Sequence, residues 1–148
     1  MPESNQKKLI SKKLEYVGFM NVLEKITFDL KEVSKNPKNI KDYSKFHKDG
    51  KTHIGIATPL VRKVAFKNFK EVKNLDKKKI FSLCEHLLET KGSGYQDIAF
   101  DWAFRLRKNY QKEDFKIFES WIKKYVDTWG SCDDLCTHAF GEFIYQFP

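Results

Sequence analysis

The sequence predicts an all-α fold in which about seven helices stack in pairs within a single domain, residues 1–148. Gly and Pro account for only 7 and 4 of the 148 residues, which disfavours a turn-rich β fold. Apolar side chains recur with helical spacing along nearly the whole chain, and no alternating run is long enough to indicate a strand. With 41% hydrophobic and 15% aromatic residues, the chain can bury a substantial core.

The first third predicts two helices and a short third one. Apolar positions within 9–20 and 22–33 indicate the first two, and the second ends before Asn36-Pro37. Residues 39–47 predict the short helix, and a polar loop around Gly50 follows. Residues 53–57 are the one weak candidate for a strand, and a loop is the favoured interpretation.

The middle of the chain contains clear helix start signals. Thr58 can act as an N-cap with Pro59 in the first helical position, and this helix runs to about residue 70. Asp76 is predicted to cap the next helix, which ends before the breaker cluster Gly92-Ser93-Gly94.

Three further helices are predicted in the last third. Two cover residues 95–109 and 114–125, and the last begins between Thr128 and Ser131. Ser131 and Asp134 have the spacing of a capping box for that last helix.

The lengths of these helices indicate a repeat architecture. From residue 58 the helices form pairs whose starts lie 36 residues apart, which is typical of HEAT or armadillo-type solenoids. The sequence therefore predicts an α-α superhelix of HEAT-like helical repeats. The helix starting near 130 lacks a partner, so we interpret the chain as truncated, with an open apolar face that allows self-association.

Charge is distributed unevenly along the chain. Residues 1–100 carry 21 basic and 12 acidic side chains, whereas residues 101–148 carry 7 and 8, and the overall net charge is +8. Such asymmetry indicates a polyanionic partner, and the alternative is ordinary solvation of Lys-rich helix faces. The odd number of cysteines, three, and a polar N-terminus predict a cytoplasmic protein with reduced thiols. No stretch is long and apolar enough to predict a membrane span.

Trp129 and Asp133 form the most informative constellation. Residues four apart share one face of a helix, about 5–6 Å apart at Cβ. An indole plane beside a carboxylate suits a site that holds and hydrolyses a flat, cationic group. In the alternative interpretation Trp129 packs at a helix junction and Asp133 serves the helix N-terminus.

Three other patterns leave alternatives open. The helix start at Thr58, with Arg62 one turn later, is either an ordinary helix start or a phosphate contact. The segment 92–96 is either an interhelical turn or a phosphate cradle, and the turn is favoured because no P-loop ending is present. The segment 132–138 has the spacing Cys-x3-Cys-x-His, but no second cluster completes a zinc site, so buried structural cysteines are favoured and no metal is predicted.

Combined, these segments resemble the bacterial alkylpurine DNA glycosylases with HEAT-like repeats, the AlkD-like group. The resemblance runs from about residue 40 to the end of the chain. Tyr43-Ser-Lys-Phe-His47 followed by His53-Ile-Gly-Ile-Ala-Thr-Pro-Leu-Val-Arg62 is similar to the family's N-terminal signature. Tyr95-Gln-Asp-Ile-Ala99 is similar to the start of its next repeat helix, and Thr128-Trp-Gly-Ser-Cys-Asp133 to its Trp-Asp-x-Val-Asp motif.

The resemblance implies DNA alkylation repair by excision of N3- or N7-alkylated purines from duplex DNA, without a cofactor. It implies that Trp129 packs against the damaged nucleotide and that Asp133 assists hydrolysis. The residues it implies for DNA contact are Thr58, Arg62, Lys63, Lys91 and Tyr95.

This sequence departs from the family pattern in two motif positions and in length. Gly130 stands where the family has an acid, and Cys132 stands where it has Val. The chain also lacks the family's last helices, which supply a second active-site aromatic. Two alternatives to an enzyme therefore stay open: a non-catalytic HEAT-like module that binds DNA or a protein partner, and a scaffold that binds acidic proteins.

Overall fold

A computed structural model describes residues 2–148, with side chains from residue 4 onward. The described residues form seven α-helices and one two-stranded ribbon, so the predicted all-α fold is confirmed apart from that ribbon. The helices are α1 (Pro2–Ser34), α2 (Thr58–Val72), α3 (Lys77–Glu89), α4 (Tyr95–Arg105), α5 (Phe115–Tyr125), α6 (Trp129–Thr137) and α7 (Ala139–Gln146). None of these helices is long and apolar enough to cross a membrane.

The first helix is one continuous element, so the prediction of two helices in this region was wrong. Gly18 lowers helix propensity by about 1 kcal/mol, but neither a proline nor a turn sequence interrupts the segment. The apparent division reflects packing. Ile26 and Leu30 in the second half are buried in the core, whereas Leu9 and Leu14 in the first half are exposed.

The predicted short helix over residues 39–47 was also wrong. Strand β1 (Ile40–Asp42) pairs antiparallel with β2 (Ile54–Ile56), with Ile40 opposite Ile56. Short 3₁₀ turns at Pro37–Asn39 and Ser44–Phe46 flank β1. Because each strand has only three residues, neither shows the alternating pattern on which the expected absence of strands rested.

Of the two N-cap residues predicted in the middle of the chain, Asp76 is confirmed and Thr58 is wrong. Asp76 caps α3 as predicted, because its side chain accepts the Lys79 backbone N–H at 2.9 Å. Thr58 is instead the first residue of α2, and the cap residue Ala57 makes no side-chain hydrogen bond there. The Tyr43 hydroxyl takes over that role by accepting the Thr58 backbone N–H at 3.3 Å.

Helix α4 lies at the centre of the fold. It makes its most extensive contacts with α3 and α2, and it also contacts α6 and α7. Its fully buried Trp102 donates an indole N–H to the Ala65 carbonyl of α2 at 2.9 Å. Helix α4 ends at Arg105, before the predicted end at residue 109, and a 3₁₀ turn follows at Arg107–Asn109.

The predicted last helix is divided in two at His138. The backbone of His138 leaves the helical region, with φ −119° and ψ −95°. A Cβ at Gly141 would lie 2.3 Å from the Cys136 carbonyl oxygen, so glycine allows α7 to pass close to the end of α6. Helical periodicity does not reveal this division.

Candidate active site

A groove of about 780 Å³ brings together residues from three separate segments of the chain, 43–62, 92–97 and 128–138. It is lined by the ribbon and its loop, the start of α2, the turn before α4, and α6. Among the predicted site residues, Thr58, Arg62, Trp129 and Asp133 line this groove.

The position of Trp129 is set by a capping box one turn earlier than predicted. Thr128 Oγ1 accepts the Ser131 backbone N–H at 3.1 Å, and Ser131 Oγ accepts the Thr128 backbone N–H at 3.1 Å. Ser131 therefore pairs with Thr128 and not with Asp134, and Trp129 becomes the first residue of α6. Its side chain is 75% exposed, which does not fit the alternative in which it packs at a helix junction.

Asp133 lies one turn after Trp129 on α6 and is exposed. Among the described residues its carboxylate has no hydrogen-bond or salt-bridge partner, whereas its backbone carbonyl accepts the Thr137 hydroxyl at 2.6 Å. A carboxylate that other side chains leave unbound is available to a substrate or a water molecule.

The predicted DNA-contacting residues occupy different surroundings. Thr58 and Arg62 line the groove, whereas Lys63 on α2 and Lys91 before α4 are exposed outside its lining. Tyr95 is partly buried, and its hydroxyl is 2.8 Å from Thr27 Oγ1 of α1. The structure thus brings two of these five residues together with Trp129 and Asp133.

The turn over residues 92–94 packs against the core and is hydrogen-bonded to β2. Gly94 has φ +97° and is buried against Leu30 and Val61, where a Cβ would lie 3.1 Å from Leu30. Ser93 Oγ accepts the Ile56 backbone N–H at 3.0 Å and so ties the turn to β2. These contacts fit the interhelical-turn interpretation.

Two acidic side chains to which the sequence analysis gave no role in a functional site lie on the groove. Burial raises the pKa of Asp97 to about 6, the charge of Asp134 adds to this, and Arg62 opposes it. Burial likewise raises the pKa of Asp134, while His138 and Arg62 lower it. The His138 ring is 3.2 Å from the Asp134 carboxylate. Arg62 therefore interacts electrostatically with two carboxyl groups, which the spacing of the motifs cannot show.

The loop between β1 and β2 adds aromatic rings to the groove lining. Tyr43, His47 and His53 all line it, and Tyr43 also holds the start of α2. Sequence reasoning used these residues only as parts of a resemblance, because ribbon pairing, which periodicity did not predict, brings them to the groove.

The cysteines differ from the predicted buried set. Cys84 is buried, but Cys132 and Cys136 are exposed on α6, so the prediction of burial was wrong for those two. Although Cys136 is exposed, partial desolvation of its thiol, and then a hydrogen bond with Cys132, raise the pKa of that thiol. Within the described part of the chain, no group of three or more His, Cys, Asp or Glu side chains could hold a metal ion.

A second groove, of about 830 Å³, lies between the first half of α1 and the helices α2 and α3. It contains none of the predicted site residues, and its lining is largely apolar, with Lys7, Lys12 and Lys79 among its charged members. The groove that contains Trp129 and Asp133 is therefore the candidate active site.

Comparison with known proteins identifies the family of the chain. Residues 29–148 match the family model described as DNA alkylation repair enzyme, which covers most of the chain and includes every residue of the candidate site. No curated protein and no solved structure matches the chain significantly. The matched range supports a role in DNA alkylation repair, with DNA as the partner. The chain belongs to the DNA alkylation repair enzyme family.

Proposed function

We propose that the protein is a DNA glycosylase that hydrolyses the N-glycosidic bond of N3- or N7-alkylated purines in duplex DNA. The observation that carries the proposal is the pairing of an exposed indole, Trp129, with the unbound carboxylate of Asp133 on the same groove. We further propose that the helices form a HEAT-like surface that supports this groove.

The chemistry follows from the charge of the substrate. A purine alkylated at N3 or N7 is cationic, and the aromatic face of Trp129 attracts such a group by about 0.5–2 kcal/mol. When the bond between C1′ and the base nitrogen breaks, the electron pair leaves with the base, which becomes neutral. The positive charge then moves onto the sugar, and this is the charge that a nearby carboxylate stabilises.

Asp133 completes the hydrolysis in this proposal. Its carboxylate stabilises the cationic sugar and orients a water molecule, whose oxygen bonds to C1′. The carboxylate accepts the proton that this water releases. The reaction requires no cofactor, because alkylation has already made the base a good leaving group.

DNA binding is assigned to exposed basic side chains around the groove. We propose that Arg62, Lys63 and Lys91 contact phosphates and that Thr58 at the start of α2 lies against the backbone. Tyr95 is proposed to support this surface through its contact with Thr27 of α1.

Asp133→Asn tests the proposal when excision and DNA affinity are measured separately. We expect the single-turnover release of 7-methylguanine to fall by about 100-fold or more, while the Kd for methylated duplex changes less than about twofold. Glu113→Gln, which removes one exposed negative charge outside the groove, is the matched control.

Two results would count against the catalytic assignment. An equal loss of excision and affinity in Asp133→Asn would make Asp133 a binding or folding residue. Duplex binding by the wild-type protein without any base release would instead support the non-catalytic module.

A further inference from the structure

The loop that joins β1 to β2 holds two histidine rings in a face-to-face stack. The ring centroids of His47 and His53 are 3.7 Å apart, and their planes differ by 13°. A stack of this kind offers a flat aromatic surface in place of a single imidazole edge.

Hydrogen bonds fix the inner ring of this stack. His53 Nε2 is 2.9 Å and 3.1 Å from the two carboxylate oxygens of Asp49. The His53 backbone N–H donates to Ser44 Oγ at 2.8 Å, and its carbonyl accepts the Tyr43 N–H at 2.7 Å. The stack is therefore organised before any ligand binds.

The outer ring, His47, lines a cleft of about 600 Å³ that adjoins the candidate active site. One side of this cleft consists of residues 47–49, and the other consists of residues 126–129 together with Cys132. The second side includes the exposed indole of Trp129. Aromatic rings from two separate chain segments thus border one space large enough for a nucleotide.

The chemistry of this cleft favours a base over a phosphate. The Nε2 atom of His53 is already engaged by Asp49. The charged lining of the cleft consists of Lys48, Asp49 and Asp127, so negative groups outnumber positive ones and disfavour an anion. The Lys51 backbone N–H and His53 hold the pKa of Asp49 below its ordinary value, so this carboxyl is charged near neutral pH. A nucleobase presents a flat π face that aromatic rings bind in any sequence context.

We propose that the stacked rings of His47 and His53 form a base-stacking platform, and that a nucleobase of bound DNA lies between this platform and Trp129. The platform rests on the proposed function only in that DNA is the ligand. It is independent of whether a glycosidic bond is cleaved.

The test compares two unmethylated duplexes that differ in one base. The first contains a single unpaired 2-aminopurine, and the second has a tetrahydrofuran at that position and so lacks the base. We expect wild-type protein to bind the first duplex about tenfold more tightly by fluorescence anisotropy, and to quench its 2-aminopurine emission by stacking. We expect His47→Ala to bind both duplexes with the same affinity.

Two variants control this comparison. His47→Phe keeps a flat ring and should retain at least half of the preference for the base-containing duplex. His86→Ala removes a histidine whose ring contacts an aromatic ring, Phe19, at a tilt of 51°, and which lies near a carboxylate, Glu89, but outside the cleft. It should bind both duplexes as the wild type does.

The outcomes separate the platform from the glycosylase proposal. If wild-type protein binds both duplexes equally, or if His47→Ala weakens both by the same factor, the platform is wrong and glycosylase activity is untouched. If His47→Phe loses the preference as fully as His47→Ala, ring stacking is not the cause and the platform is wrong. No binding of either duplex would overturn the platform, whereas the release of 7-methylguanine from methylated duplex decides the glycosylase proposal separately.

Discussion

Replacing Asp97 with Asn should stabilise the protein near neutral pH and leave its stability almost unchanged in acid. Asp97 lies in the first turn of α4 on the candidate groove. Burial first, and then the charge of Asp134, raise its pKa from the ordinary value of 3.8 to about 6, against the attraction of Arg62. The folded protein therefore favours the neutral carboxyl, and ionisation opposes folding.

The size of this effect on the free energy of unfolding follows from proton binding at Asp97. Between pH 3.8 and about 6, the folded state binds more protons at Asp97 than the unfolded chain does. Stability from this group is thus fully present below the unfolded pKa and is lost as the pH rises through the folded pKa. The difference between the two values corresponds to about 3 kcal/mol. Part of this difference comes from the charge of Asp134, and water in the open groove screens the charges. We therefore expect Asp97→Asn to raise the free energy of unfolding by about 1–2 kcal/mol.

Urea unfolding of wild-type protein and Asp97→Asn at about pH 4 and about pH 7.5 measures this effect. The free energy of unfolding should differ by less than about 0.5 kcal/mol at the lower pH and by about 1–2 kcal/mol in favour of Asn at the higher pH. A change of the same size and sign at both pH values would refute the reasoning. Asn less stable than wild type at the higher pH would show that the Arg62 attraction outweighs burial.

Three further predictions follow from named contacts. Trp102→Phe should lower the free energy of unfolding by about 1 kcal/mol more than Trp121→Phe does. Only the Trp102 indole N–H has a partner among the described residues, and equal losses in urea unfolding would contradict this. Thr128→Ala should cost about 1 kcal/mol through loss of the cap of α6, and an unchanged Tm would count against the capping box. If Arg62, Lys63 and Lys91 each contact one phosphate, duplex affinity should fall roughly 40-fold between about 50 and 200 mM salt, whereas a salt-independent Kd would exclude such contacts.

The parts of the fold that local signals determine were predicted well. Scarce Gly and Pro and continuous helical periodicity indicated the all-α class. The Asp76 cap, and the start of α2 to within one residue of Pro59, were visible because their physical cause lies within one helical turn. The Trp129–Asp133 pair was visible for the same reason, since four-residue spacing determines a shared helix face.

The parts that tertiary contacts determine were missed. The ribbon of Ile40–Asp42 with Ile54–Ile56 joins segments that are too short to show alternation. The last helix is divided at His138, where Gly141 lies close to the Cys136 carbonyl, and no proline marks this position. The sequence predicts two helices where α1 is continuous, because the buried half and the exposed half of α1 have different apolar patterns.

The same distinction holds within the candidate site. His47 and His53 reach the groove only because the ribbon closes the loop that contains them. The raised pKa of Asp97 depends on burial and on Asp134, which lies 37 residues later in the chain. Such groupings arise from the packing of α2, α4 and α6, which no single segment specifies.

The measurement that tests the central claim most directly is the release of 7-methylguanine from methylated duplex DNA by the wild-type protein, with Asp133→Asn beside it. The account predicts release well above spontaneous depurination with wild type, and release near the spontaneous rate with the variant. Equal release by the two proteins would contradict the role of Asp133. Release by neither, with duplex binding intact, would contradict the glycosylase itself.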